Sequence, residues 1–210
     1  MKYYNDHAVS PVVGVMLMIV VTIIIAAVVS GFAGGLMKNN VKPVQATITG
    51  TFSVTSGMTI TNTGGDPLPT SNLLLETRNG PTFGPNLYTS SVSVIDLSNV
   101  TNSAGVPIAF RNPRTGMVDG YNITSFNPGD TWYLNITNCD PVTFENATYS
   151  YPVHGYYSFV NGEWTFSNPN DYYWSLNFVN PANIGKRFYL DVVDKSSGVQ
   201  ISEATVTIAE

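Results

Sequence analysis

AVSPVVGVMLMIVVTIIIAAVVSGFAGGLM, residues 8–37, decides the architecture, because it runs for thirty residues without one charged side chain. All nine Lys and Arg and all fourteen Asp and Glu lie outside it. A membrane helix needs about 20 apolar residues to cross a hydrocarbon layer of ~30 Å, whereas residues 9–37 as α-helix run about 43 Å at 1.5 Å per residue. A secretory signal has an apolar stretch of roughly 7–15 residues with its cleavage site after it, so this segment is something else. The surplus length predicts a helix with two environments, lipid first and then copies of itself, whose last turns support a globular domain.

The start of the helix is well marked. Ser10 is a residue type that caps the first free N–H groups, and Pro11 suits the first turn, where a missing N–H costs nothing. Proline also disfavours helical geometry at Ser10, which leaves residues 1–9 extended and open to a protease at the membrane face. A cut before the apolar run is therefore physically sensible. Inside the helix Ala26, Ser30 and Gly34 form one small-residue ridge at spacing four, and Ala27, Gly31 and Gly35 form a second; Gly14 adds another small site. Such ridges let helix backbones approach closely in lipid, where packing drives association. Lys2 on one side, offset by Asp6, and Lys38 and Lys42 on the other leave the positive-inside rule undecided.

Beyond Asn40 the hydrophobic period changes to two. Ala46, Ile48, Phe52 and Val54 share one face, and Thr47, Thr49, Thr51 and Ser53 the other, as in a half-buried strand. Similar runs fall at Met58 and Ile60, Leu73 and Leu75, Val92 and Val94, Trp132 to Ile136, and Phe188 to Val192, with turn residues between them, as in Asp66-Pro67 and residues 112–116. The expected fold class is mainly β with one long N-terminal α-helix, the head an immunoglobulin-like antiparallel β-sandwich. Near the C-terminus residues 194–198 read as a hairpin loop. The apolar parity then shifts between Ile201 and Ala204, predicting a bulge or break at Ser202-Glu203.

Residues 144–178 hold twelve of the chain's aromatics. Tyr156, Tyr157, Trp164, Tyr172, Tyr173 and Trp174 have two readings. They form an exposed cluster that stacks on sugars or on another subunit, or they fold onto the sheet of their own domain. Cys139, the one cysteine, has no partner for an internal disulfide and reads as a buried, inert thiol.

The composition bounds the chemistry. A net charge of −5 with no basic stripe argues against nucleic acid. His7 and His154 are the only histidines, and there is no HExxH, phosphate loop or Gly-x-Ser-x-Gly elbow, so no catalytic residues, metal ligands or cofactor are assigned and an enzyme is not expected. The Asn-rich loop at 168–171 lacks the ordered ligand spacing of a calcium loop. Asn99, Asn122, Asn135 and Asn146 open Asn-x-Thr sequences and are permitted glycosylation sites; their number is what this composition yields by chance.

The run from Ala8 through Ser10-Pro11-Val12-Val13-Gly14 to Ala26-Ala27 and Phe32 closely resembles the N-terminal segment of archaeal type IV pilins. Thr63-Gly64-Gly65-Asp66-Pro67 and Phe126-Asn127-Pro128-Gly129-Asp130 resemble turns of the globular domains of those pilins. The resemblance implies a prepilin whose leader is removed by a prepilin peptidase between Ala8 and Val9. It divides the chain into a leader at 1–8, a membrane and filament-core helix with a short linker at 9–42, and an extracellular β-sandwich head at 43–210. It departs from the pattern at His7, where many leaders carry a basic residue. Val13 stands where bacterial pilins have a glutamate, so helix packing alone would set register.

The function so implied is a structural subunit of a surface filament, for adhesion. It would sit in the cell membrane as a precursor and then in an extracellular filament. Its partners would be other pilin subunits, the prepilin peptidase, the assembly platform with its ATPase, and the membrane before assembly, with no nucleic acid. The alternative is an uncleaved, membrane-anchored β-sandwich binding module that recognises carbohydrate or another surface ligand.

Overall fold

The computed structural model describes residues 11–37, 43–84, 92–139, 156–168 and 174–210, with backbone alone for 33–37. It divides into two compact units, Met1–Pro43 and Val44–Glu210. The first contains the helix α1 (Pro11–Met37), of 27 residues. Its many Val, Ile and Gly residues make it a poor helix in water. In lipid the alternative is unsatisfied backbone N–H and C=O groups, and the helix satisfies all but its ends internally.

In chain order the described strands of the second unit are β1 (Ala46–Ser53), β2 (Gly57–Gly65), β3 (Leu68–Pro69), β4 (Leu73–Asn79), β5 (Val92–Val94), β6 (Val100–Asn102), β7 (Ala109–Arg111), β8 (Val118–Tyr121), β9 (Ser125–Phe126), β10 (Thr131–Asn135), β11 (Tyr157–Val160), β12 (Glu163–Phe166), β13 (Arg187–Asp194) and β14 (Gln200–Ala209). Eight of them form one sheet in the order β5-β4-β13-β14-β1-β2-β10-β6, and β3-β9, β7-β8 and β11-β12 form three small ribbons. Within the sheet, β5-β4-β13-β14 and β1-β2-β10-β6 are each antiparallel throughout. The two halves meet along a short parallel seam, where Phe52 pairs with Ile208 and Ser53 with Ala209. Farther along β1, the Ser202 hydroxyl accepts the Ile48 N–H at 3.2 Å.

One apolar core is shared by both halves. Ile48, Phe52 and Val54 point into it as the alternation in β1 requires, joined by Met58, Ile60, Leu75, Trp132, Leu134, Phe188, Leu190, Val192 and Val206. Phe52 meets Phe188 edge-on at 5.7 Å, and Phe126 stacks on Trp132 at 4.0 Å. Each such side chain contributes about 1.5–3 kcal/mol by leaving water, so this core, and not local propensity, holds the strands together. Cys139 is buried in it, in no disulfide, with its thiol donating to the Asn135 carbonyl at 3.5 Å.

Two local expectations are corrected. Val92 and Val94 are exposed, and Ser93 turns inward opposite Thr77. The sequence Val92-Ser93-Val94-Ile95-Asp96-Leu97 offers both parities, and the buried pair Ile95 and Leu97 prevails. The parity shift in β14 is produced by a bulge at Ile201, because Val192 pairs with Ser202 and Val193 with Gln200. It falls just before Ser202-Glu203, and the strand continues unbroken through it.

Candidate assembly helix and head surface

Residues 11–32 form a span with mean hydropathy 3.2, long and apolar enough to cross a membrane. The side chains from Pro11 to Phe32 are all exposed. A helix apolar on every side is stable only in lipid or among other apolar helices. Its Thr22 hydroxyl donates to the Ile19 carbonyl at 2.8 Å, which keeps that polar group satisfied without water.

Along this surface Ala26, Ala27, Ser30 and Gly31 lie open, and the space beside Gly14 and Gly31 is empty to 4 Å. Gly34 and Gly35 continue the spacing within the helix backbone. Ala8, Val9 and Ser10 lie outside the described residues, so the structure bears on neither the cleavage site nor the cap.

In the head, the aromatic-rich segment divides. Tyr157 stacks on Phe166 at 4.6 Å, and Trp174, buried, stands 6.0 Å from Tyr157 and 6.1 Å from Phe166. The half-buried Trp164 donates its indole N–H to the Ile136 carbonyl at 2.8 Å. Phe178 lies flat on Phe188 at 4.2 Å, which joins the segment to the main core. These rings therefore pack on their own domain, and Trp174 in particular offers no surface. Tyr156, by contrast, is 74% exposed, and Phe159 and Val160 of β11 are exposed as well. Tyr172 and Tyr173 lie outside the described residues.

Asn122 and Asn135 are exposed and Asn99 is half-buried, while Asn146 lies outside the described residues. The side-chain oxygen of Asn135 accepts both the backbone N–H and the hydroxyl of Thr137, at 3.0 Å each. Asn122 donates its amide to the Pro107 carbonyl at 2.9 Å. His7 and His154 also fall outside the described residues.

Among the described residues Arg78 and Arg111 hold ion pairs within the head. Arg78 pairs with Asp191 and Glu203 across β4, β13 and β14 and lies 4.3 Å over the Tyr189 ring. Burial pushes the neighbouring Glu76 carboxyl above its ordinary range, and the charge of Asp191 adds to the shift. At Asp96 burial acts upward, yet hydrogen bonds from Ser98 and from Arg111 outweigh it and hold the carboxyl below its usual range.

Sequence reasoning passed over one residue that organises the head. Asn62 is fully buried; its amide donates to the Phe126 carbonyl at 3.1 Å and its side-chain oxygen accepts the Gly64 N–H at 3.1 Å. Its backbone N–H donates to Asp130, and its carbonyl accepts from Gly129 at 2.7 Å. The two turn motifs, residues 63–67 and 126–130, are thus tied together through this one side chain. Nothing local signals it, since Asn before Thr-Gly-Gly reads as ordinary turn composition.

Residues 7–48 match the family model described as archaeal type IV pilin, N-terminal. No curated protein and no solved structure matches the chain. The matched segment contains α1, apolar on all sides, and ends within β1, the first strand of the head. Over these 42 of the 210 residues the chain is similar to the N-terminal segment of archaeal type IV pilins.

Proposed function

We propose that the chain is the precursor of a structural subunit of a type IV pilus-like surface filament, for adhesion, and that it performs no bond-making chemistry. The observation that carries this reading is α1: 27 residues, apolar all round with its side chains exposed from Pro11 to Phe32, within the segment that matches the pilin family model. In this reading residues 1–8 are a leader removed by a prepilin peptidase, residues 9–42 are the membrane and filament-core helix with its linker, and residues 43–210 are the extracellular head. Before assembly lipid covers the apolar side chains; the assembly platform and its ATPase then transfer the helix from lipid into a bundle of like helices. Gly14, Ala26, Ala27, Ser30, Gly31, Gly34 and Gly35 allow close approach there, where dispersion contacts replace those with acyl chains.

The test is where the chain goes. Native cells are sheared, and the released material is pelleted and probed for the head by antibody and by electron microscopy. The expected result is filaments that carry the head along their length. A head found only in membranes, with no filament after deletion of the gene is complemented, refutes assembly and favours the anchored binding module.

A further inference from the structure

The sequence holds two Asn-Gly pairs, Asn79-Gly80 and Asn161-Gly162, and the fold gives them opposite surroundings. Asn161-Gly162 is the whole loop of the hairpin β11-β12, whose ladder closes at the pair Val160 and Glu163. With φ +55 at Asn161 and +91 at Gly162, it has the doubly left-handed backbone of a two-residue type I′ turn. Asn161, Gly162 and Glu163 are exposed, and the space beside Gly162 is empty to 4 Å. Among the described residues no hydrogen bond holds the Asn161 side chain or the Gly162 N–H.

An asparagine followed by glycine carries its own electrophile and nucleophile. The Gly162 amide nitrogen, on losing its proton, attacks Cγ of Asn161. The new C–N bond closes a five-membered succinimide, the bond from Cγ to Nδ2 breaks, and ammonia leaves with a proton taken from solvent. Water then opens the ring. Addition at Cγ gives aspartate, and addition at the main-chain carbonyl gives isoaspartate, in which the chain runs through the former side chain. Water is the only co-reactant, and nothing is oxidised or reduced. Ring closure needs the Asn161 backbone to rotate out of the turn geometry, an opening that costs least at an exposed loop tip. With no Cβ at Gly162 the attacking nitrogen is unshielded.

Asn79-Gly80 is the same dipeptide held shut. Asn79 is 6% exposed, pairs with Phe188 in the β4-β13 ladder, and donates its amide to the Leu176 carbonyl at 3.1 Å. Beside Gly80 a Cβ would stand 2.2 Å from the Arg187 carbonyl oxygen, so the backbone there has no room to turn. From this contrast we infer that Asn161 is a site of spontaneous deamidation and that the fold protects Asn79. Either product sets a second carboxylate beside Glu163 at the hairpin tip, where like charges repel. Isoaspartate also adds a backbone carbon to a loop of two residues, so the ladder loosens first at Val160 and Glu163. That hairpin carries Trp164, whose indole N–H holds the Ile136 carbonyl. The inference concerns the covalent chemistry of the head and stands apart from filament assembly.

The test ages the full chain in lipid nanodiscs, in mildly acid and in mildly alkaline buffer, with a parallel sample in urea. Peptide mass spectrometry follows the replacement of the side-chain NH2 by OH at each asparagine, and electron-transfer fragmentation separates aspartate from isoaspartate. In the folded chain Asn161 is expected to react at least about tenfold faster than Asn79, to give both products, and to react faster in alkali. In urea the two positions are expected to agree within about threefold, which assigns the difference to the fold and not to the dipeptide. Asn161→Gln, which would have to close a six-membered ring, is expected to abolish the signal at that position. Amide exchange at Val160 and Glu163 is expected to be faster in the aged chain than in the fresh one. Asn79 reacting as fast as Asn161 in the folded chain overturns the inference. So does Asn161 intact in the folded chain while it reacts in urea, for then the turn protects it. Unchanged exchange at Val160 and Glu163 overturns the loosening of the ladder.

Discussion

Replacing Asn62 by Ala would remove the side chain that joins the two turns of the head. Two hydrogen bonds disappear, from the amide to the Phe126 carbonyl and from the Gly64 N–H to the side-chain oxygen, both at 3.1 Å and at a residue with no exposed surface. Each is worth about 1 kcal/mol net, and the groups left behind cannot turn to water, so the loss is about 2–4 kcal/mol. For a head of this size, at ~2–4 °C per kcal/mol, Tm falls by about 5–15 °C. The assay is urea and thermal unfolding followed by tryptophan emission, because Trp132 stacks on Phe126, whose carbonyl Asn62 holds. Thr63→Ala is the control: its hydroxyl donates to the Thr47 carbonyl at an exposed position, and a change within about 0.5 kcal/mol is expected. Asn62→Ala no more destabilising than that control would refute the role given to Asn62.

Three further outcomes follow from the same structure. Gly65 has φ +107, and a Cβ there would stand 2.3 Å from the Gln45 carbonyl oxygen, so Gly65→Ala is expected to cost about 2–3 kcal/mol in urea unfolding. Hydrogen bonds from the Ser196 hydroxyl first, and then from the Ser197 N–H, lower the Asp194 carboxyl to about 2. A lowered carboxylate supports folding above its unfolded pKa of 3.8 and loses that support as pH falls toward 2. NMR shifts of the Ser196 and Ser197 amides should therefore titrate with a midpoint near 2, and a midpoint at the ordinary carboxylate value would contradict the loop geometry. Gly31→Leu fills an open site on α1. It raises helix propensity by about 0.8 kcal/mol, so membrane content should hold while filament yield in sheared fractions drops severalfold.

What could be read from the sequence depended on how local the signal was. The helix was legible because thirty uncharged residues are a contiguous feature, and the helical ladder satisfies backbone groups without help from elsewhere. In β1, β10 and β13 the alternation was clean enough to name the buried face, and the rings of Phe52, Trp132 and Phe188 lie there. It failed at β5, where two apolar parities overlap and the difference is made by Ile95 docking into a core assembled from distant strands. The parallel seam of β1 with β14 had no local mark at all, because its partners are about 150 residues apart and the pairing spans two residues. The aromatic segment was visible as composition, but which rings face inward, as Trp174 does, and which outward, as Tyr156 does, is set by docking on β13 and on the turn at Ile136.

The measurement that tests the central claim most directly is the intact mass of the chain in sheared surface filaments, read beside the same mass from membranes. The account predicts that the filament form begins at Val9 and lacks residues 1–8, with the longer form confined to membranes. A filament form that keeps Met1 to Ala8, or a chain found only in membranes with those residues in place, contradicts it.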